Sequence, residues 1–172
     1  IYDKKIIQSK IKNQILDRYN IEVRFNEKIR YGLFPKPYFF AKNLSILQNQ
    51  KEIAEVKKFK VFISINRFFA ISQVNIKDII FDSTDFNINQ ENIDFFKKLL
   101  ISKPGENYIK IKNSNIFFKN LENETLFLSK IYNSKFFYDE QKFNNNLISK
   151  NEIFNLPFLL KLENDNLKDY LL

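Results

Sequence analysis

The side chains of this chain best suited to acid–base or metal chemistry are carboxylates, and two close pairs stand out: Asp82 with Asp85, and Glu122 with Glu124. A working carboxylate pair needs one member held protonated in a partly desolvated hollow that both share. Both pairs instead fall among Ser, Thr and Asn in stretches that read as turns, where solvated carboxylates are ordinary. Histidine and cysteine are absent, which removes the commonest general base, the thiolate nucleophile and the usual zinc and iron ligands. Gly32 and Gly105 are the only glycines, so no phosphate-cradling loop or dinucleotide fingerprint can be built. No serine sits in a nucleophile-elbow context. The residues therefore predict a protein that is not an enzyme, with no metal and no cofactor.

A chain of 172 residues, 44% apolar and carrying 20 Phe, is long enough for a packed interior and reads as one domain. Its heavy use of Ile, Lys, Asn and Phe is the bias of an AT-rich genome, so the missing cysteine says little about redox compartment. The net charge of +8 invites an anionic partner, either a membrane surface or nucleic acid. Only Arg18, Arg24, Arg30 and Arg67 supply guanidinium forks, and the lysines are scattered rather than blocked, which disfavours nucleic acid. No stretch reaches the roughly 20 apolar residues that span a bilayer.

The periodicity predicts a mainly β (α+β) chain with two short helices and a long antiparallel, curved sheet. Residues 1–19 form a helix, with Ile7, Ile11 and Ile15 at four-residue spacing, to pack on the sheet or to lie on a membrane. Asn20 is its left-handed stop. Residues 20–88 make a first strand group: alternation at Ile21, Val23 and Phe25, then strands at Tyr38–Leu47, Glu52–Ile65, Gln73–Phe81 and Asp85–Ile88, with a turn at Asn66–Ala70. Pro35 and Pro37 place their segment at an edge, a bulge or a crossing. Residues 89–104 hold the second helix, capped by Asn89, with Ile93, Phe96, Leu99 and Leu100 as its apolar face and Pro104-Gly105 as its stop. Residues 105–172 make a second strand group at Tyr108–Lys112, Asn115–Lys119, Thr125–Tyr138, Asn145–Phe154 and Leu156–Leu162. Leu167–Leu172 reads as the start of a further element. The missing initiator Met and this last segment predict a fragment of a longer chain.

Successive strand residues face opposite sides, so Phe59, Val61, Ile63 and Ile65 lay down one apolar surface with Lys58, Lys60 and Ser64 behind it. Leu126, Leu128 and Tyr132 suggest a second such surface. Each set is either ordinary core beneath the helices or the wall of an open groove. The strands outnumber what two short helices can cover, which favours a groove. Strand edges left open would alternatively let the chain act as a scaffold that pairs with another protein.

Four stretches resemble the N-terminal region of AsmA-like proteins. Leu33-Phe34-Pro35-Lys36-Pro37-Tyr38-Phe39-Phe40-Ala41-Lys42-Asn43-Leu44 is similar to that family's proline-bearing strand. Val56 to Ile65 followed by Asn66-Arg67-Phe68-Phe69 resembles its long strand and turn. Ile76 to Asp82, Asp85 to Ile88 and Asn92-Ile93-Asp94-Phe95 resemble the next strand and helix start, and Ile111 to Phe118 a later strand pair. The likeness runs from Lys4 to Leu162, with Asn or Ser where the family's turns carry glycine. It implies a Gram-negative envelope protein in the periplasm, anchored to the inner membrane by a helix upstream of Ile1. It further implies a taco-shaped β-groove that moves phospholipid between inner and outer membranes and serves outer-membrane biogenesis. The expected partners are phospholipid acyl chains, an anionic membrane surface and other envelope proteins. Phe59, Val61, Ile63, Ile65, Leu126, Leu128 and Tyr132 are then the candidate lipid-groove residues.

Overall fold

The four-residue isoleucine spacing near the start gives helix α1 (Lys4–Tyr19), which the left-handed Asn20 (φ 53°) stops. In the computed structural model, which describes residues 4–65, 74–101 and 107–165, nine strands and a second helix follow. They are β1 (Glu22–Phe25), β2 (Arg30–Gly32), β3 (Tyr38–Gln48), β4 (Lys51–Ile65), β5 (Val74–Ile88), α2 (Ile93–Ile101), β6 (Tyr108–Lys119), β7 (Thr125–Asp139), β8 (Asn144–Ile153) and β9 (Leu156–Asp165). All nine strands join one curved, open sheet in the order β1-β3-β4-β5-β6-β7-β8-β9, with β2 also on β3. Every pair is antiparallel except β5–β6, which is parallel because α2 carries the chain back across the sheet. The expected turn at Asn66–Ala70, the Pro104-Gly105 stop and the segment Leu167–Leu172 lie outside the described residues.

Both helices pack on one face, called inner below. Ile7, Ile11 and Ile15 of α1 are buried there with Phe39, Ala41, Leu44, Phe59, Val61, Ile76 and Ile79. Gln14 and Arg18, one helical turn apart, hold both main-chain groups of Ile76: its N–H donates to Gln14 Oε1 (2.8 Å) and its carbonyl accepts from Arg18 Nη1 (2.7 Å). Those groups lie at a bulge, where the β4–β5 register slips between Val61 and Ile63. The helix thus satisfies the ladder groups that the bulge leaves open.

Several sequence expectations change at one place. Two separate strands were expected at Gln73–Phe81 and Asp85–Ile88, and again at Tyr108–Lys112 and Asn115–Lys119, but β5 and β6 each run unbroken. What reads as a break is a reversal of the pleat. Buried inner positions are Phe39 and Ala41 before it and Leu44 and Ile46 after it on β3; on β5 they are Ile79 and Phe81, then Thr84 and Phe86. Between them two consecutive residues point outward. The pairs are Lys42-Asn43, Lys57-Lys58, Asp82-Ser83, Lys112-Asn113 and Tyr132-Asn133 on β3 to β7, and the register sets them side by side across the sheet. Four of these strands carry similar hexamers: AKNLSI at 41–46, FDSTDF at 81–86, IKNSNI at 111–116 and IYNSKF at 131–136. We refer to this transverse line as the crease.

Left-handed residues make the crease: Asn43 (φ 50°), Ser83 (φ 57°) and Asn113 (φ 47°). Asparagine is the residue that tolerates this conformation best after glycine. Side chains replace the lost ladder bonds. Thr84 N–H donates to Ser114 Oγ (3.0 Å), Ser114 Oγ donates to the Lys112 carbonyl (2.6 Å), and Asp82 Oδ1 accepts from both Ser83 and Asn113 (3.1 Å each). Asp82 and Asp85 therefore sit mid-strand, not in a turn as expected, whereas Glu122 and Glu124 do lie in the β6–β7 turn region.

Asn89 caps the second helix as expected: its carboxamide oxygen accepts from the N–H groups of Glu91 and Asn92 (3.0 and 3.1 Å), Asn92 Oδ1 accepts from the Asn89 N–H (2.9 Å), and the Ile93 N–H reaches the Asn89 carbonyl (3.1 Å), where the helix proper, Ile93–Ile101, begins. Its packed face is Phe95, Phe96 and Leu99, and Ile93 is exposed. Pro35 and Pro37 fall in the connection between β2 and β3, where the Phe34–Pro35 peptide is cis.

If the crease rests on asparagine's left-handed tolerance, Asn113→Ala should lower unfolding free energy by about 1–2 kcal/mol, through the added backbone strain and the lost bond to Asp82. Asn113→Gly should lose distinctly less. Chemical denaturation of both variants checks the difference.

Candidate functional site

The inner face is built in two parts that differ in cover. Over β1 and β3 to β5 it is packed, with Phe59 between Phe25 (5.8 Å between centroids) and Phe81 (5.6 Å) and α1 above, while at the β2 edge Tyr31, beside Phe39 (5.4 Å), is half exposed. On the α2 side Phe96 meets Phe86 edge-on (6.1 Å) and Phe95 (5.3 Å). Helix α2 also reaches β8, so the sheet curls around it.

Beyond α2 the inner face turns polar and then opens. Ser129 and Ser134 of β7 and Ser149 and Asn151 of β8 are buried. Ser149 Oγ is bonded to Asn151 Oδ1 (2.7 Å), and Asn151 Nδ2 donates back to the Ser149 carbonyl (3.2 Å). On β9 the residues paired to this face are apolar, through Ile153↔Leu156, Asn151↔Phe158 and Leu147↔Leu162. Leu156 is 67% exposed, Phe158 41% and Leu162 44%, with Phe154 of the β8–β9 turn at 75%. Phe154 continues a line of rings, lying 6.3 Å from Phe127, which stacks on Phe118 at 4.2 Å. These exposed residues form an uncovered apolar strip on the helix-bearing face.

The seven residues that the sequence proposes as groove wall do not form one surface. Phe59, Val61 and Ile63 are core, each at most 5% exposed. The side chain of Ile65 lies outside the described residues. Leu126, Leu128 and Tyr132 are exposed on the outer face. The reason is parity: below the crease β7 turns Phe127, Ser129 and Ile131 inward, so the even positions face out. The LFLSKIY segment is apolar on both parities, and sequence alone does not choose between them. The strip on β9 was missed although its signal was present, since Leu156, Phe158, Leu160 and Leu162 put four apolar residues on one side of the strand, opposite Lys161 and Glu163.

Tyr132 has a different role. Its hydroxyl donates to Glu152, which also accepts from Lys130 Nζ at 2.6 Å, so the trio ties β7 to β8 on the outer face. Hydrogen bonds from Lys130 first and Tyr132 second hold the Glu152 carboxyl below its ordinary value, and the same bonds raise Lys130 and Tyr132.

Other polar groups pair off in the same way. Arg24 meets Glu52 at 3.0 Å and Lys51 meets Glu91 at 3.3 Å. No group of three or more His, Cys, Asp or Glu able to hold a metal lies among the described residues, and no described helix is long and apolar enough to cross a membrane. Asp82 and Asp85 do not share a proton donor, since Asp85 accepts from Asn115 (2.7 Å) while Asp82 accepts from Ser83 and Asn113. Comparison with family models and with curated proteins finds no match to this chain.

Two outcomes follow from these placements. Phe59→Ala should cost about 3–5 kcal/mol of stability, as for a fully packed aromatic. Leu126→Ala should stay within about 0.5 kcal/mol; equilibrium denaturation separates them. The depressed Glu152 carboxyl stabilises the fold above the ordinary carboxylate range, and that contribution fades as pH falls through its lowered value. The melting temperature of Glu152→Gln should therefore lie below that of the parent at neutral pH and converge with it in acid.

Proposed function

We propose that this chain is a non-catalytic lipid-handling module of the AsmA-like type, acting in the periplasm in phospholipid movement between inner and outer membranes. The acyl chain lies against the β9 strip, not against Phe59, Val61 and Ile63. One observation carries the reading: Phe154, Leu156, Phe158 and Leu162 are exposed together on the face whose core over β3 to β5 the helices cover. Apolar surface of this kind gains about 25 cal/mol per Å² when covered, whether by a side chain or an acyl chain. An acyl chain of even moderate length would be retained, since each buried methylene contributes about 0.8 kcal/mol. The residue likeness to the AsmA-like pattern supplies the lipid and the compartment; the open curved sheet is of the shape that such a role needs.

A second reading rests on the same strand. Among the described residues β9 is an edge of the sheet, with one row of its ladder groups unpaired; pairing of that row with another chain would make the module a scaffold.

The two readings part on lipid content. Organic extraction of the natively purified chain should yield phospholipid, and Leu156→Asp with Phe158→Asp should remove most of it while the circular dichroism spectrum is kept. A folded chain that carries no lipid yet forms a stable complex through β9 would replace the first reading with the second.

A further inference from the structure

The outer face carries a feature that the strand register assembles and the linear sequence hides. Two neighbouring transverse rows collect eight lysines from six strands. Lys60, Lys110, Lys135 and Lys161 belong to one row, linked through Lys60↔Ile80, Ile80↔Lys110, Lys110↔Lys135, Lys135↔Ile148 and Ile148↔Lys161. Lys42, Lys58, Lys112 and Lys150 belong to the other, which runs along the crease through Lys42↔Lys58, Lys58↔Asp82, Asp82↔Lys112, Lys112↔Asn133 and Asn133↔Lys150. Asp82 is the one acidic residue in these rows. With strands about 4.8 Å apart, the band from β3 to β9 is roughly 29 Å long, and its rows lie about 7 Å apart along the strands.

None of the eight forms an ion pair with a described carboxylate. Lys42 and Lys58 are direct cross-strand partners, as are Lys110 and Lys135, an arrangement that destabilises a sheet. A local rule broken twice with no carboxylate partner, Lys135 being met only by the Tyr108 and Phe137 rings, marks a surface shaped by something outside the fold. Between the rows lies a hollow of about 190 Å³ lined by three of these lysines, Lys58, Lys60 and Lys112, with Phe40, Ile80 and Asp82.

From this band we infer that the outer face docks on an anionic phospholipid bilayer surface through its headgroup phosphates. Three observations favour a bilayer over single-stranded nucleic acid. The band contains no arginine, the residue whose fork suits bidentate phosphate and base contacts. The rings of the row alongside it are already capped: Lys60 Nζ sits 4.3 Å from the Tyr38 ring centre, and Lys135 Nζ lies 4.9 Å from Tyr108 and 4.8 Å from Phe137. Rings so covered are poor platforms for stacking bases. Point charges on long stems, with a tyrosine-bearing aromatic row alongside, are what a headgroup layer receives. The band lies on the face opposite the β9 strip, so this inference stands apart from the proposed lipid seat.

Co-sedimentation with vesicles tests it. The chain should pellet with phosphatidylcholine vesicles containing 30% phosphatidylglycerol, and not with phosphatidylcholine alone. Lys60→Glu, Lys110→Glu and Lys135→Glu together should weaken that binding at least tenfold. Lys12→Glu, Lys28→Glu and Lys36→Glu make the same change in net charge away from the band and should weaken it less than threefold. If the charge reversal disturbs folding, the three band lysines replaced by Gln give the second measurement, with the same direction expected. Equal loss in the band and control variants, absence of binding to the anionic vesicles, or tighter binding to a single-stranded oligonucleotide at equal salt would overturn the inference.

Discussion

The whole architecture depends on a reversal of the pleat held in register across five strands. A sheet with one dry face must keep every strand's apolar set on the same side, and a shift of one residue sends that set into water. Here each strand from β3 to β7 changes phase at the same level, β5 having a second reversal at the bulge between Ile76 and Ile79. Ala41 and Leu44, Phe81 and Thr84, Ile111 and Ser114 therefore all face inward although the members of each pair are an odd three positions apart. Were one strand to lack the reversal, its far half would present charges to the helices.

The same constraint sorts the two faces by chemistry. On the inner side it produces continuous cover for α1 and α2, and past α2 it leaves the polar serine–asparagine belt and the exposed rings and leucines of β9. On the outer side it doubles the number of outward residues at one level, which is why Lys57 and Lys58 both reach solvent and why Lys42 and Lys112 join them. Apolar strip and basic band thus arise from one device on opposite surfaces. A module with a greasy inner end and a cationic back fits a place beside a membrane.

Much of this was legible in the residues. The isoleucine spacing identified α1, the Asn-rich turns marked most strand ends, and six of the ten left-handed non-glycine positions are in fact asparagine, so Asn does stand where glycine is ordinarily needed. The failures cluster at the crease. Alternation in FDSTDF and IKNSNI breaks phase, and a reader who assumes strict period two ends the strand there, as happened with β5 and β6. That these hexamers resemble one another, and AKNLSI and IYNSKF too, was the available sign that the break is a shared structural element. The inward parity of LFLSKIY and the parallel β5–β6 pairing were not legible, because both depend on partners set by the return path through α2.

The central claim is that acyl chains rest on the inner side of β9. Site-specific photo-cross-linking reads it directly: a benzophenone side chain placed at Phe158, in cells labelled with radioactive phosphate, is compared with the same group at the exposed Lys28, away from both the strip and the basic band. Labelled phospholipid adducts are expected at position 158 and none above background at position 28. Equal labelling at both positions, or none at 158 in a chain that remains folded, would contradict it.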